Sequence, residues 1–217
     1  MIIDFLYFAN IVFHRLAYTE KNSQQQAYQQ ALGSADFLFP DGIALELLTQ
    51  KYLGTSVHNL NGTDFLPFFL RETTKNYNTR IFLYGSTATV VQKAGEYVKQ
   101  NYVVETISVQ NGFHEYDWSE IDAISAENSD MINIFLVGRG TPRQELWIEE
   151  NRALLKQYNC ITFAVGGLLD FWSGTEQRAP LWIRNIRSEW LYRMIFNPKK
   201  NLVKALMSFL IFWYLIR

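Results

Sequence analysis

Several residues of this 217-residue chain stand where a side chain could do chemistry, each just beyond an apolar run. Asp41 follows the apolar segment 36–39 in Pro40-Asp41-Gly42 and precedes the stretch IALELL. A carboxylate at such a turn could take the proton from an attacking hydroxyl as a general base. It could equally form an Asx turn or cap the next helix. Gln144 and Glu145 fall in the first turn of a helix opened by Pro142. A Gln there can bond sugar hydroxyls, and a Glu can cap. Asp170 lies beside Phe171 and Trp172, where a carboxylate can accept N–H bonds from a base, bond a ribose, or again cap a helix. Gly85-Ser86, Gly138-Arg139-Gly140 and Gly166-Gly167 follow three further apolar runs. Glycine permits tight turns and close approach of backbone to a ligand.

Metal and dinucleotide chemistry have weaker support. His14, His58 and His114 have no metal-ligand spacing, and no Asp-x-Asp occurs. Cys160 is the one cysteine, within the apolar run 160–165, and reads as a buried core thiol. No metal ligands and no cofactor are therefore expected. Gly138-x-Gly140 lacks the third glycine and the later acid of a dinucleotide fingerprint, and a G-x-x-x-x-G-K-[ST] loop is missing.

The elements that must carry these residues alternate. Apolar runs at 3–8, 36–39, 80–84, 103–108, 132–137 and 160–165 read as strands, separated by amphipathic segments near 22–33, 43–53, 64–72, 87–100, 117–127 and 143–157. Runs such as INIFLV, apolar but for Asn133, suit strands buried on both faces. The expected fold is α/β: a Rossmann-like, mostly parallel sheet flanked by helices. Such sheets bind ligands beyond the C-terminal ends of their strands, where helix N-termini favour phosphate. Four strand ends here offer Gly or Asp at that edge, although strand-to-helix turns favour both residues for backbone reasons alone.

Charge divides the chain. Residues 178–217 hold eight Lys/Arg and a single acid, Glu189, which leaves 12 basic and 20 acidic residues in 1–177. We expect a catalytic domain over 1–177 and a C-terminal helical, membrane-associating appendage over 178–217. Residues 205–216 (ALMSFLIFWYLI) are apolar on nearly every helical face. As a helix they span about 18 Å, too short for a hydrocarbon core of about 30 Å. Lys199, Lys200, Lys204 and Arg217 flank them, and Trp213 and Tyr214 suit headgroup depth. An anionic membrane surface is the expected partner, and packing on the domain or in a homo-oligomer is the alternative. No nucleic-acid partner is expected. The N-terminus carries Asp4 and lacks a basic n-region and a cleavage site, so no signal peptide is read and the cytoplasmic face of the plasma membrane is the expected location.

The runs VGRGTPRQELWI, AVGGLLDFWSGTEQRAPLW and EWLYRM followed by Asn197-Pro198, with ADFLFPDG, NGTDF and IFLYGST upstream, occur in order over roughly residues 35–200. Together they resemble the WecG/TagA/CpsF family of bacterial glycosyltransferases, glycosyltransferase family 26. The resemblance implies transfer of N-acetylmannosamine, its uronic acid or glucose from a UDP-sugar to a polyprenyl-diphosphate-linked glycan, with inversion, in surface polysaccharide synthesis. It implies that Asp41 is the base, Gln144 an active-site glutamine, and Arg193 an arginine that steadies the diphosphate. For the nucleotide and donor it implies Asn10, Gly42, Gly85, Ser86, Gly138, Gly140, Asp170, Arg178 and Lys200. The sequence departs from the family pattern at Phe8 (usually Thr) and Asn59 (usually Arg). Lys199, Lys200 and Lys204 stand for later arginines, keeping charge but losing bidentate geometry. A non-catalytic UDP-sugar-binding or scaffolding protein is the alternative reading.

Overall fold

The computed structural model describes residues 5–9, 23–55, 57–58, 60–125, 131–185, 188–196, 198, 206, 209, 210 and 213. Six strands form one sheet: β1 (Phe5–Ala9), β2 (Phe37–Pro40), β3 (Thr79–Gly85), β4 (Thr106–Gln110), β5 (Ile132–Gly138) and β6 (Cys160–Ala164). Their order is β2-β1-β6-β5-β3-β4, and every neighbouring pair is parallel. The chain leaves β3 toward β4 and returns to pair on the other side of β3 as β5, which makes a switch point in the sheet.

The central strands explain their own sequences. β3 is buried at every residue, and β5 at all but its first. Over 81–84 and 134–137 both are apolar on two faces, because helices cover both. Ile81, Leu83, Ile134 and Leu136 point to one core, shared with helices α3 (Gly62–Asn76), α4 (Ala88–Asn101) and α8 (Leu168–Trp172). Phe82, Tyr84, Phe135 and Val137 point to the other, shared with α5 (Ser119–Ser125), α6 (Arg143–Glu150) and α7 (Arg152–Gln157). Each such side chain contributes about 1.5–3 kcal/mol on burial. Helix α1 (Ser23–Gly33) packs on α6, and α2 (Ile43–Leu53) follows β2. Two further helices follow, α9 (Leu181–Asn185) and α10 (Glu189–Phe196).

The predicted α/β alternation is present, with local shifts. β4 starts at Thr106 rather than 103, because Val103 is 76% exposed and belongs to the connection. The single helix expected over 143–157 divides at Asn151, whose side-chain amide donates to the Trp147 carbonyl at 2.8 Å and ends α6. Most of the expected tail helix lies outside the described residues. Its described positions Leu206, Phe209, Leu210 and Trp213 have helical backbone and exposed side chains. Among the described residues, no helix is long and apolar enough to cross a membrane.

Candidate active site

β2 delivers Asp41 to the sheet's C-terminal edge, and Gly42 follows in a left-handed conformation (φ 101°) with open space where a Cβ would stand. The Pro40 carbonyl then accepts a hydrogen bond from Leu60 N–H at 2.8 Å. That bond draws the chain after α2 back to the end of β2, and with it the N-terminus of α3. Asn61 caps α3: its side-chain oxygen accepts from Asp64 N–H at 3.0 Å, while its amide donates to the Asp64 carboxylate at 2.9 Å. Asp64 thus sits in the first turn of α3, where the helix dipole favours a negative charge.

The C-terminal segment closes over the same place. Arg178 donates to Asp64 at 2.5 Å and, through its other Nη, to Glu189 at 3.2 Å. It also reaches the Thr63 carbonyl at 3.5 Å. Pro67, four residues on, has no N–H with which to fill that carbonyl in the usual helical manner. Arg184 lies 3.5 Å from Asp64. Glu189 accepts a second bond, from Arg193 at 2.9 Å, and the Arg193 guanidinium lies 4.6 Å from the Phe171 ring centre.

These charges set the carboxyl acidities. Burial pushes the Asp41 pKa up to about 6, against the pull of Arg193 and with reinforcement from the charges of Glu189 and Asp64. Burial acts the same way on Asp64, but hydrogen bonds from Arg178 and Asn61 and the charges of Arg178 and Arg184 outweigh it and hold Asp64 below the usual carboxylate range. Glu189 is likewise held low, its burial outweighed by Arg193 and Arg178. One edge of the sheet therefore carries three carboxylates of two kinds. Two are locked in ion pairs, and the third, Asp41, is poised to hold or release a proton near neutral pH.

The other strand ends are built differently. Gly85 (φ 151°) pairs with Gly138 across β3 and β5, and a Cβ on Gly85 would lie 2.3 Å from the Gly138 carbonyl oxygen. A Cβ on Gly138 would lie 2.7 Å from Leu169. These two glycines serve the contact of strand with strand and strand with helix. Ser86, at φ 53°, donates its N–H to the Gly138 carbonyl at 3.1 Å. Gly140 (φ 74°) faces open space.

Gln144 is only 3% exposed: its carbonyl accepts Gly166 N–H at 3.0 Å and its amide donates to Glu145 at 2.8 Å. Glu145, 1% exposed, also accepts from Thr141, and burial raises its pKa. Asp170 occupies the first turn of α8, immediately before the Phe171 ring that underlies Arg193. Asn10, Lys199, Lys200 and Lys204 lie outside the described residues.

The structure therefore links Asp41 to Arg193 and, through Glu189, to Arg178, and Asp170 precedes the Phe171 ring under Arg193. It assigns Gly85, Ser86, Gly138 and Gln144 to the join between strand ends. Sequence reasoning missed Asp64, Arg184 and Glu189. Two signals were available: Asp64 lies inside NGTDF, and Glu189 is the sole acid of a basic segment. Among the described residues, no group of three or more His, Cys, Asp or Glu gathers as a metal site.

Comparison with known proteins bears on this arrangement. The model of the glycosyl transferase WecG/TagA/CpsF family matches residues 7–217. The chain belongs to this family. The match covers the Asp41 turn, the Asp64 cap and the α10 arginine alike, as the motif resemblance implied. Curated family relatives include proteins of Bacillus spizizenii, Bacillus subtilis and Staphylococcus aureus, each named N-acetylglucosaminyldiphosphoundecaprenol N-acetyl-beta-D-mannosaminyltransferase. The first is 30% identical over 179 residues, covering 82% of this chain and 67% of the relative. The second is 28% identical, covering 79% and 65%. The third is 27% identical, covering 88% and 72%. The chain thus spans about two thirds of the length of these family members.

Proposed function

We propose that this chain transfers N-acetylmannosamine, or a closely related sugar, from a UDP-sugar to a polyprenyl-diphosphate-linked acceptor, with inversion. The observation that carries the reading is Asp41: a strand-end carboxyl with its pKa near 6, facing Arg193. In the reaction the acceptor oxygen bonds to the anomeric carbon as the bond from that carbon to the diphosphate breaks. The bonding pair leaves with UDP, and Asp41 takes the hydroxyl proton. A base with a pKa near the working pH serves best. Arg193 and Arg178 offset the charge growing on the leaving diphosphate. Further support comes from the Nε–H groups of Arg178 and Arg184, which are buried without an acceptor among the described residues and would find one in a diphosphate oxygen. Asp170 is proposed for the nucleotide, and Gln144 for holding the Gly166 turn beside it. Positive charge from arginines and helix N-termini would replace a divalent ion, so turnover is proposed to be metal-independent.

One assay tests these statements: UDP release with a panel of UDP-sugars and a short-chain lipid-diphosphate acceptor. Wild type should release UDP, and EDTA should leave the rate unchanged. Asp41→Asn should lose about 10²–10⁴-fold in turnover while remaining folded. Wild-type turnover in Asp41→Asn would refute the general base, and loss in EDTA restored by Mg²⁺ or Mn²⁺ would refute metal independence.

The proposed place of work is the cytoplasmic membrane surface. Exposed Leu181, Trp182, Ile195 and Phe196 on α9 and α10, with the exposed apolar positions from 206 to 213, support it. Removing residues 199–217 should abolish pelleting with anionic liposomes. Undiminished pelleting would leave the tail without this role.

A further inference from the structure

Glu189 is the one acidic residue among eight basic ones in residues 178–217, and it opens α10. Its two carboxylate oxygens are divided between two arginines: one accepts from Arg178 at 3.2 Å, the other from Arg193 at 2.9 Å. The first bond spans two segments, and the second is an i, i+4 contact within α10. The Glu189 side chain is 21% exposed and that of Arg178 22%, so their bond is shielded, and both bonds are charge-assisted. Arg178 is anchored on its far side by Asp64 and the Thr63 carbonyl, and Arg193 rests over Phe171.

We propose that Glu189 is a positioning residue: it holds Arg178 and Arg193 together as a cationic frame beside Asp41, so that a departing nucleoside diphosphate meets guanidinium groups already in place. The proposal rests on the reading of Asp41 and the diphosphate given above. A flexible arginine loses rotamer entropy when it is fixed, and charge fixed beforehand needs no reorganisation as the leaving group departs. Without Glu189, Arg178 keeps its bonds to Asp64 and Thr63, while Arg193 loses the carboxylate that ties it to α10.

The test uses the full chain and the UDP-release assay, with Glu189→Gln, Glu189→Asp and Asp41→Asn beside wild type. Glu189→Gln should lower kcat about tenfold or more and leave the donor KM within about threefold. Glu189→Asp, which keeps the charge, should recover part of the loss, and it serves as the second variant if the Gln substitution lowers Tm.

The pH profile separates holding from mere charge. Asp41 is faced by Arg193, Glu189 and Asp64, and Arg193 is the strongest of these influences. Deleting the Glu189 charge alone would move the acid limb of kcat/KM down. Losing Arg193 from its place as well would move it up, and the proposal requires the upward shift. A downward shift, or a kcat within twofold of wild type while Asp41→Asn is inactive, overturns the proposal.

Trypsin provides a readout that needs no turnover. Cleavage after Arg193 should be several-fold faster in Glu189→Gln than in Asp41→Asn, and equal rates would overturn the proposal. This arm decides the role of Glu189 even if Asp41→Asn is as active as wild type, the result that would instead sink the reading of Asp41.

Discussion

At the ends of β3 and β5, glycine packs on glycine and a buried amide ties the next turn, whereas at the end of β2 an aspartate faces a chain of arginines and carboxylates. The first region is closed by backbone contact, and the second is held by charge and left partly open. Their turns look alike in sequence, since each is a short Gly-containing link after an apolar run. The difference teaches that a glycine at a strand end is as often there for its neighbour strand as for a ligand. The ionisable residue with several oppositely charged neighbours is the better guide to chemistry.

The contrast can be broken most decisively at Gly85. In Gly85→Ala the new methyl would meet the Gly138 carbonyl oxygen at 2.3 Å, so a stability loss of about 3 kcal/mol or more is expected. Gly140→Ala, which meets open space, should cost only about 1–2 kcal/mol for its left-handed backbone. Thermal melts of the pair decide this, and equal Tm values would erase the distinction drawn between the two turns.

Arg193→Ala probes the charged region. Turnover should fall about 10- to 100-fold with Tm little changed, since Arg193 makes its contacts on a partly exposed helix. A variant that melts early with its per-molecule rate intact would make the charged region a structural one.

The smallest effect concerns stability and pH. The folded chain binds the Asp41 proton more tightly than an ordinary aspartate, with a pKa of about 6 against 3.8. Ionised Asp41 therefore costs stability, absent below about pH 4 and growing as pH rises toward 6. Asp41→Asn should be more stable than wild type at pH 7–8 by about 1–2 kcal/mol, after discounting for solvent access, and the gain should vanish near pH 4. Parallel melting curves across that range would show that Asp41 carries no such penalty.

Much of the fold was legible because its signals are local. β3 and β5 carry apolar runs at 81–84 and 134–137, and Thr87 and Asn61 cap helices α4 and α3. The candidate base was legible for the same reason: Pro40-Asp41-Gly42 interrupts an apolar pattern at a strand end. Of its partners, Arg178 and Arg193 came only through the family resemblance, and Asp64 and Glu189 were not legible. Asp64 and Arg178 are 114 positions apart, and only the return of the chain over the sheet edge brings them together. The Gln144 contact was hidden for a related reason. A polar residue in a first helical turn gives no sign that the Gly166 N–H, 22 positions on, will claim its carbonyl.

Pro67 gives the active-site edge an unexpected debt to a flaw. A helix with every rung intact would have kept the Thr63 carbonyl for itself. With one rung missing, α3 presents a socket on its side, and Arg178 plugs into it from across the chain. Replacing Pro67 with alanine would give that carbonyl back to the helix and leave Arg178 with Asp64 and Glu189 alone. Local perfection and long-range fastening are here in competition, and this protein has settled for the imperfect helix.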